Sequence, residues 1–429
     1  MSRQLARILA SAVLVLGVTA AARAAAGANE EATSARLSEA EMVRQARQRV
    51  AQVKLPGDLK LEYDWALPFD DRLDAGNVWI RKDSVLVLID RTQLYCIGRN
   101  NGVMMWAIDL GNEMEFAPAV SEQTVYVFVR GKLVAIDKVA GKIAWRVEPE
   151  FAASGAPCVM EPHLYVPAFD KRVYAVEVRS RKRVYVRGVK GEESLSDTEH
   201  YLWTNWHKTA AGHIAGSPIV FEGIIYFASE EGYVYSLTPE GEQRFRRQVQ
   251  GAIRVPVTGR GGEVYVGSTD FNAYGLDRLT GLPQWIFPTG SNVLQPVCAD
   301  PASGVAIVVS NNNGIYGILD RPVAERGTEI WHIPDAEYVA GVGPERVYLM
   351  LTDNRLAAVD KETGTVRWLS LLDGIRDVVV NVDNSTDKDD RMRLLCVSSA
   401  IPNQLVCLKE SDEDLRRAVR RREEKKEAE

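Results

Sequence analysis

Histidines and cysteines often bind metals or take part in catalysis, and the chain contains five of each. The histidines are His163, His200, His207, His213 and His332. Neither spacing among the middle three brings two imidazoles to one face, as H-x-x-x-H or H-x-H would. The sequence has no C-x-x-C pair, haem signature, adjacent cysteine pair, nucleophile elbow, phosphate loop or dinucleotide motif. We therefore expect structural or surface histidines, no catalytic residue, no metal site and no cofactor.

The cysteines leave several disulfide states open. They are Cys96, Cys158, Cys298, Cys396 and Cys407, an odd number that leaves at least one thiol free. A hairpin turning at Ile401-Pro402 would set Cys396 opposite Cys407, where a disulfide can form. Cys96 and Cys407 occupy equivalent repeat positions and are a competing pair. Buried free thiols that act as small hydrophobic side chains are the third interpretation.

The acidic segment Asp383–Asp390 resembles a cation-binding loop only superficially. It lacks the glycine of a helix–loop–helix calcium site, and Leu394 stands where the distal glutamate belongs. We expect a solvated hairpin loop.

A segment outside the repeat, Lys190–Ala211, holds the most distinctive aromatic cluster. Its aromatic residues are Tyr201, Trp203, Trp206 and His207, preceded by Glu192, Glu193, Asp197 and Glu199. These side chains either pack on the face of the fold or offer anchors to a partner, since Trp and Tyr dominate interface hot spots. Long loops above rigid scaffolds tend to be functional. We interpret the cluster as a partner-binding site, and the acidic residues suggest a basic partner surface.

The elements that carry these residues follow from an internal repeat. Ala135-Ile136-Asp137-Lys138-Val139-Ala140-Gly141-Lys142-Ile143-Ala144-Trp145 gives a small residue, an Asp, a Gly and a Trp, and the same order recurs at Gly275–Trp285 and Ala358–Trp368. The aromatic anchors are Trp65, Trp106, Trp145, Tyr185, Phe245, Trp285, Trp331 and Trp368. A period of about 40 residues with four short strands per unit is typical of propeller blades.

The repeat has a physical explanation in each unit. Gly adopts a positive φ without steric strain, and the Asp can hydrogen-bond the backbone of its own turn. The residue two before the Asp position is always small: Cys96, Ala135, Ala175, Ser236, Gly275, Gly317, Ala358 and Cys407. We therefore expect close contact with a neighbouring sheet at that position, with the aromatic anchor filling the space between blades.

The number of blades follows from the two ends of the repeat. Seven units run from Val78 to Leu371, and the last unit, Ile375–Leu408, supplies only three strands. A strand with a tryptophan, Leu59–Trp65, precedes the first unit. Joined together, the two ends make an eighth blade and leave no long unpaired edge. The sequence predicts an all-β, eight-bladed propeller closed by an N-terminal strand, with short helices at both ends.

The predicted domains are a signal peptide over 1–24, an amphipathic helix over 25–55, the propeller over 56–410 and a charged tail over 411–429. Arg3 and Arg7 precede a short apolar stretch, and Ala22-Arg23-Ala24 fits a cleavage site. The net charge is −6, or −9 once the three arginines leave with the signal, which argues against a nucleic-acid partner. We expect an exported protein without a transmembrane segment.

The A-x-D-x-x-T-G-x-x-x-W repeat resembles the tryptophan-docking repeat of the pyrroloquinoline-quinone-type propellers, over residues 59–408. One branch of that family, the quinoprotein alcohol and sugar dehydrogenases, binds a quinone with a cation. The other is non-enzymatic and includes the BamB-type factors of outer-membrane protein assembly. This chain is similar to the second branch in size, export signal and N-terminal closure. It departs in one respect, because no cysteine follows the signal to carry a lipid.

The resemblance implies a monomeric, non-catalytic scaffold that binds envelope proteins, with an outer-membrane assembly complex as one option and the periplasm or cell envelope as its location. A quinone-dependent dehydrogenase and a carbohydrate-binding propeller are the alternatives.

Overall fold

A computed structural model describes residues 61–69, 71–185, 195–300, 303–320, 323–343, 345–380, 393–399 and 403–410. The predicted signal peptide, N-terminal helix, acidic loop and charged tail lie outside these residues. In the described part of the chain, the helical elements are two 3-10 turns, Ala75–Asn77 and Val323–Glu325. No helix among the described residues is long and apolar enough to cross a membrane.

Short runs of β-branched and aromatic residues, separated by Gly- and Asp-containing turns, form the strands. In chain order the strands are β1 (Leu61–Pro68), β2 (Val78–Ile80), β3 (Ser84–Ile89), β4 (Gln93–Gly98), β5 (Met104–Asp109), β6 (Ala119–Val120), β7 (Thr124–Val129), β8 (Lys132–Asp137), β9 (Ile143–Val147), β10 (Cys158–Met160), β11 (His163–Pro167), β12 (Arg172–Tyr185), β13 (Leu195–Thr209), β14 (Ile219–Phe221), β15 (Ile224–Ser229), β16 (Tyr233–Leu237), β17 (Gln243–Gln248), β18 (Thr258–Arg260), β19 (Glu263–Gly267), β20 (Asn272–Asp277), β21 (Pro283–Pro288), β22 (Cys298–Asp300), β23 (Val305–Ser310), β24 (Gly314–Leu319), β25 (Glu329–Ile333), β26 (Ala336–Val342), β27 (Arg346–Leu351), β28 (Arg355–Asp360), β29 (Val366–Leu371), β30 (Ile375–Val379), β31 (Arg393–Ser398) and β32 (Gln404–Glu410).

These strands form eight antiparallel sheets of four strands each, which confirms the predicted eight-bladed β-propeller. Blades one to seven each take four consecutive strands, from β2–β5 through β26–β29. Blade eight has the order β1-β32-β31-β30, so its outer strand comes from the N-terminal side of the chain.

The described residues divide into two compact units. Residues 61–111 and 298–410 form one unit, which contains blades one, six, seven and eight. Residues 112–297 form the other, which contains blades two to five. Each unit buries its own apolar clusters between blade faces, such as the cluster around Leu133 and Val166 in the second unit.

The closure of blade eight follows the sequence prediction. β1 pairs with β32 from Leu61 opposite Glu410 to Pro68 opposite Gln404. Asp64 on β1 forms ion pairs with Arg393 and Lys409. Its two carboxylate oxygens lie 3.1 Å from Arg393 Nε and from Lys409 Nζ, and all three side chains are largely buried. These ion pairs join β1, from the N-terminal side of the chain, to β31 and β32 near the C-terminal end. They therefore stabilise the closure of blade eight.

In every blade, the small repeat residue on the third strand lies directly opposite an aromatic residue on the fourth. The pairs are Cys96–Trp106, Ala135–Trp145, Ala175–Trp206, Ser236–Phe245, Gly275–Trp285, Gly317–Trp331, Ala358–Trp368 and Cys407–Trp65. The predicted anchor of blade three, Tyr185, is therefore wrong, and Trp206 takes that place. At Gly275 and Gly317, the tryptophan of the same blade fills the space that a Cβ would need. There the small residue accommodates its own blade's aromatic ring, and not a neighbouring sheet as expected.

The Asp-x-x-Thr-Gly turn is built as the sequence predicts. In blade seven, Asp360 Oδ1 accepts hydrogen bonds from Thr363 N and Thr363 Oγ1 at 3.1 and 3.0 Å, and Gly364 has φ of 69°. Burial opposes ionisation of Asp360, but hydrogen bonds from Arg367 and Thr363 outweigh it and lower the pKa of the carboxyl. Asp277 and Gly281 repeat the arrangement in blade five.

These turns receive an aromatic ring from the preceding blade. Trp331 Nε1 donates to Lys361 O at 2.7 Å, and its ring occupies the space above Gly364. Three further rings dock on a turn glycine in the same way: Trp65 on Gly102, Trp206 on Gly241 and Phe245 on Gly281. A side chain at any of these glycines would collide with the docked ring.

The Cys396–Cys407 disulfide, one of the states that the sequence leaves open, is not formed. All five cysteines are free thiols. Leu395 lies opposite Cys407 and Cys396 lies opposite Val406, so the two cysteines are one residue out of register. Neighbouring residues of a strand point to opposite faces of the sheet, and the two thiols accordingly join different apolar clusters. The competing disulfide between Cys96 and Cys407 is likewise not formed. Cys96, Cys396 and Cys407 are buried free thiols, as in the third interpretation.

Candidate functional site

The third blade carries a hairpin that extends well beyond the repeat. β12 and β13 contain 14 and 15 residues, whereas the third and fourth strands of blade seven contain 6 each. The two strands pair from Arg172 opposite Thr209 to Tyr185 opposite Leu195. The segment 190–211 that the sequence sets apart from the repeat therefore contains β13, the fourth strand of blade three.

One face of the hairpin packs against blade two. Val178 and Leu202 lie opposite each other and contact the apolar cluster around Leu133. The ring of His200 stacks on Trp145, the anchor of blade two, with 6.0 Å between centroids and 23° between planes. Trp145 thus meets a histidine of the extended strand, whereas four other aromatic anchors meet a turn glycine.

The opposite face carries the aromatic residues that the sequence singles out. Tyr201 pairs with Arg179, and Trp203 pairs with Glu177 across the hairpin. The guanidinium of Arg179 lies 4.6 Å from the centroid of the Trp203 ring, and that of Arg181 lies 5.6 Å from the Tyr201 ring. Each aromatic ring is therefore held by a cation–π contact from the neighbouring strand. We call Glu177, Arg179, Arg181, Glu199, Tyr201 and Trp203 the hairpin patch.

The charges of the hairpin patch are balanced. Arg179 Nη2 lies 3.0 Å from Glu177 Oε2, and Arg181 Nε lies 2.6 Å from Glu199 Oε2. The two arginine side chains are 40% and 59% exposed, so these pairs contribute little to the stability of the fold. They do hold the guanidinium groups over the rings. The predicted acidic residues Glu192 and Glu193 lie outside the described part of the chain.

The arrangement suits binding more than chemistry. Trp203 is 49% exposed although it belongs to a regular strand, and the rings of Trp203 and Tyr201 contact arginines of their own hairpin. A ring fixed by a strand and an arginine loses little conformational entropy when a partner covers it. Trp, Tyr and Arg are also the side chains that contribute most to protein interfaces.

The other two predicted partner-binding residues lie elsewhere. Trp206 donates from Nε1 to Pro239 O at 2.7 Å and packs over Gly241, so it is a docking residue of blade three. His207 points to the face opposite the hairpin patch, 5.6 Å from the Tyr174 ring. The sequence reasoning missed Arg179 and Arg181, although their spacing of two, matched by that of Tyr201 and Trp203, indicates two facing strands.

Two of the other histidines and one cysteine have structural surroundings. His332 stacks on Tyr316 with 4.0 Å between centroids, and His163 contacts Asn205. Burial raises the pKa of the Cys158 thiol to about 11, which leaves it protonated at neutral pH. No cluster of three His, Cys, Asp or Glu side chains suited to a metal ion occurs among the described residues.

Comparison with known proteins finds one family model that matches part of the chain and several solved structures that share its fold. The family model described as "Outer membrane protein assembly factor BamB" matches residues 125–198 and 195–337. No curated protein sequence matches the chain. Among solved structures, BamB from Moraxella catarrhalis is 14% identical with a TM-score of 0.59, and the alignment covers 82% of this chain and 98% of that one.

Two further structures share the fold. The computationally designed Ika8 protein is 12% identical with a TM-score of 0.54, and the alignment covers 79% of this chain and 96% of that one. Quinohemoprotein alcohol dehydrogenase ADHIIG from Pseudomonas putida HK5 is 12% identical with a TM-score of 0.55, over 82% and 76% of the two chains. At these identities the structures show the fold alone. Together with the docked tryptophans and the family match, they identify the chain as a β-propeller of the pyrroloquinoline-quinone-type, tryptophan-docking repeat family, similar to the assembly factor BamB.

Proposed function

We propose that this chain is a non-catalytic interaction scaffold of the cell envelope, and that it binds a protein partner through the hairpin patch. The observation that carries the proposal is the position of Tyr201 and Trp203. Both are fixed by arginines on an extended hairpin, and neither is the aromatic residue opposite the small repeat residue of blade three, which is Trp206. A half-exposed ring such as that of Trp203 is available to a partner.

The family match supports a role in protein assembly, because its description names an outer-membrane protein assembly factor. The predicted signal peptide supports export to the periplasm or cell envelope. We expect no lipid-bearing cysteine after the signal peptide. We expect the protein to act as a monomer.

The test compares three forms of the purified mature protein, each immobilised and exposed to cell-envelope extract. They are the wild type, a Tyr201→Ala/Trp203→Ala double variant and a Phe169→Ala control. Phe169 is 62% exposed and precedes β12 at the opposite end of the same blade. We expect the wild type and the control to retain the same envelope protein, and the double variant to lose it with an unchanged melting temperature.

If all three forms retained the same amount of the envelope protein, the hairpin patch would not be part of the binding surface. The two alternatives have their own readouts. Dye reduction that requires added quinone and Ca²⁺ would favour a dehydrogenase, to whose fold the chain is similar. Retention of an oligosaccharide by the wild type and not by the double variant would favour a carbohydrate-binding propeller.

A further inference from the structure

The outer edge of β13 is the longest free strand edge in the described part of the propeller. β13 is the terminal strand of its sheet, and among the described residues no strand pairs with its other side. It contains 15 residues, whereas the outer strands of the other blades range from 5 residues in β9 to 8 residues in β1. Such an edge presents a row of backbone N–H and C=O groups that can pair with another chain.

The ladder geometry identifies which backbone groups point outward. In blade seven, Asp360 N donates a hydrogen bond to Thr365 O at 2.9 Å. The backbone groups of these two residues therefore point towards each other, into the hairpin, and not towards the outer edge of the blade. The equivalent pair in blade three is Glu177 and Trp203, because both pairs lie just beyond the bulge that follows the small repeat residue. Inward and outward pairs alternate along an antiparallel ladder.

The N–H and C=O groups of every second residue of β13 therefore point outward, away from β12. These residues are Thr198, His200, Leu202 and Thr204. The side chains of Tyr201 and Trp203 alternate with them and stand on one face of the same strand. A strand added beside β13 would therefore bond to the outward backbone groups and place every second side chain against the two rings.

We propose that the partner contributes one extended strand, which pairs with the outer edge of β13 and rests apolar side chains on Tyr201 and Trp203. This inference depends on the proposed function and adds the mode of recognition. The balanced charges of the hairpin patch leave shape, backbone pairing and apolar contact as the means of selecting that strand. The charged residues of the hairpin patch limit uncontrolled edge pairing in the free protein.

The test uses proline to remove single outward N–H groups. Thr198 and Thr204 are exposed, and their amides face away from β12, so proline at either position breaks no hydrogen bond inside the hairpin. Thr198→Ala and Thr204→Ala are the matched controls, since they change the side chain and keep the amide. The probes are random dodecapeptides displayed on phage and selected on the full mature protein.

We expect the selected peptides to bind the alanine variants as tightly as the wild type. Each proline variant should bind them about tenfold more weakly, the loss expected for one or two backbone hydrogen bonds. Methylation of backbone amides in the best peptide should weaken binding at every second position only, because alternate amides face β13.

Equal binding by the proline and alanine variants would overturn the proposal, as would failure to select any peptide sensitive to proline. The wild type could instead sediment as a dimer and the Thr204→Pro variant as a monomer. That result would show that a second copy of this chain pairs with β13, and it would overturn the proposal that a partner protein supplies the strand. If the wild type retains an envelope protein that the proline variants also retain, the edge inference fails while the proposed function stands. If the wild type retains none, the proposed function itself fails.

Discussion

Trp203 and Trp206 lie on one strand and face the same side of the hairpin, but only Trp206 is held by the next blade. The indole N–H of Trp206 donates to Pro239 O, and its ring covers Gly241. Trp203 contacts Arg179 of its own hairpin and stays half-exposed. One tryptophan therefore belongs to the fold and the other to the hairpin patch.

This division predicts opposite effects of two alanine substitutions. Trp206→Ala should lower the free energy of unfolding by about 3 kcal/mol, because a docked aromatic ring and its hydrogen bond are lost. Trp203→Ala should change it by less than about 1 kcal/mol. Urea titration of both variants measures the difference. Equal losses would mean that Trp203 also supports the fold.

The docking glycines allow the contact with the ring to be separated from backbone strain. Gly364 and Gly131 have φ of 69° and 74°, so alanine at either should lose about 1–2 kcal/mol through the left-handed backbone alone. At Gly364 the new Cβ would also collide with Trp331, whereas nothing lies within 4 Å at Gly131. We therefore expect Gly364→Ala to be clearly the more destabilising in urea titration. Equal losses would show that the docked ring shifts without resistance.

At the scale of elements, the ion pairs of Asp64 provide the sharpest test of the closure. Asp64→Ala removes the partner of two largely buried cations on β31 and β32, so we expect a loss of about 3 kcal/mol in unfolding free energy. Asp353 forms an ion pair with Arg355 in which the arginine side chain is 44% exposed and the aspartate side chain 48%. Asp353→Ala should therefore change stability by less than about 1 kcal/mol. If chemical denaturation shows the same small change for both, the ion pairs of Asp64 contribute nothing to the closure.

The sequence predicts the blades well because the repeat encodes local geometry. Asp360, Thr363 and Gly364 make a turn with their own backbone and side chains, so the motif alone indicates the hairpin. The eighth blade follows from counting strands at the two ends. The anchor of blade three could not be found by local spacing, since the long hairpin separates Ala175 from Trp206. The sequence did contain one signal for this anchor: the separation in sequence between Trp206 and Phe245 matches the repeat period of about 40 residues.

The cysteine pairing and the cation–π contacts could not be predicted for a different reason. The register between β31 and β32 depends on how the intervening loop closes, and a shift of one residue moves a side chain to the other face of the sheet. Cys396 and Cys407 are separated by such a shift. The cation–π contacts of the hairpin patch depend on which residues of β12 face β13. That register could be read from the sequence only after the two strands were recognised as one hairpin.

At the scale of the whole molecule, the propeller should depend on β1 and not on the residues before it. Deletion of residues 25–67 removes most of β1 with Asp64 and Trp65, and we expect it to abolish cooperative thermal unfolding. Deletion of residues 25–54 leaves β1 intact and should preserve the transition. Similar melting of both truncated forms and the full mature protein would contradict closure by the N-terminal strand.

The long hairpin is an addition to a complete blade, and it can be replaced by the short turn of blade seven. Glu177 and Trp203 correspond to Asp360 and Thr365, so replacing residues 178–202 with Lys-Glu-Thr-Gly rebuilds the repeat and leaves Trp206 opposite Ala175. The shortened chain should keep its cooperative thermal transition, because the docking of Trp206 on blade four remains, although the stacking of His200 on Trp145 is lost. It should lose Tyr201 and, with it, the outer edge of β13.

The most direct test of the scaffold proposal is therefore quantitative capture from cell-envelope extract by the shortened chain and by the wild type, with the bound proteins measured by mass spectrometry. We predict that the protein retained by the wild type is absent from the shortened chain while both melt cooperatively. Equal amounts of the same protein on both would contradict the proposal that the hairpin binds the partner.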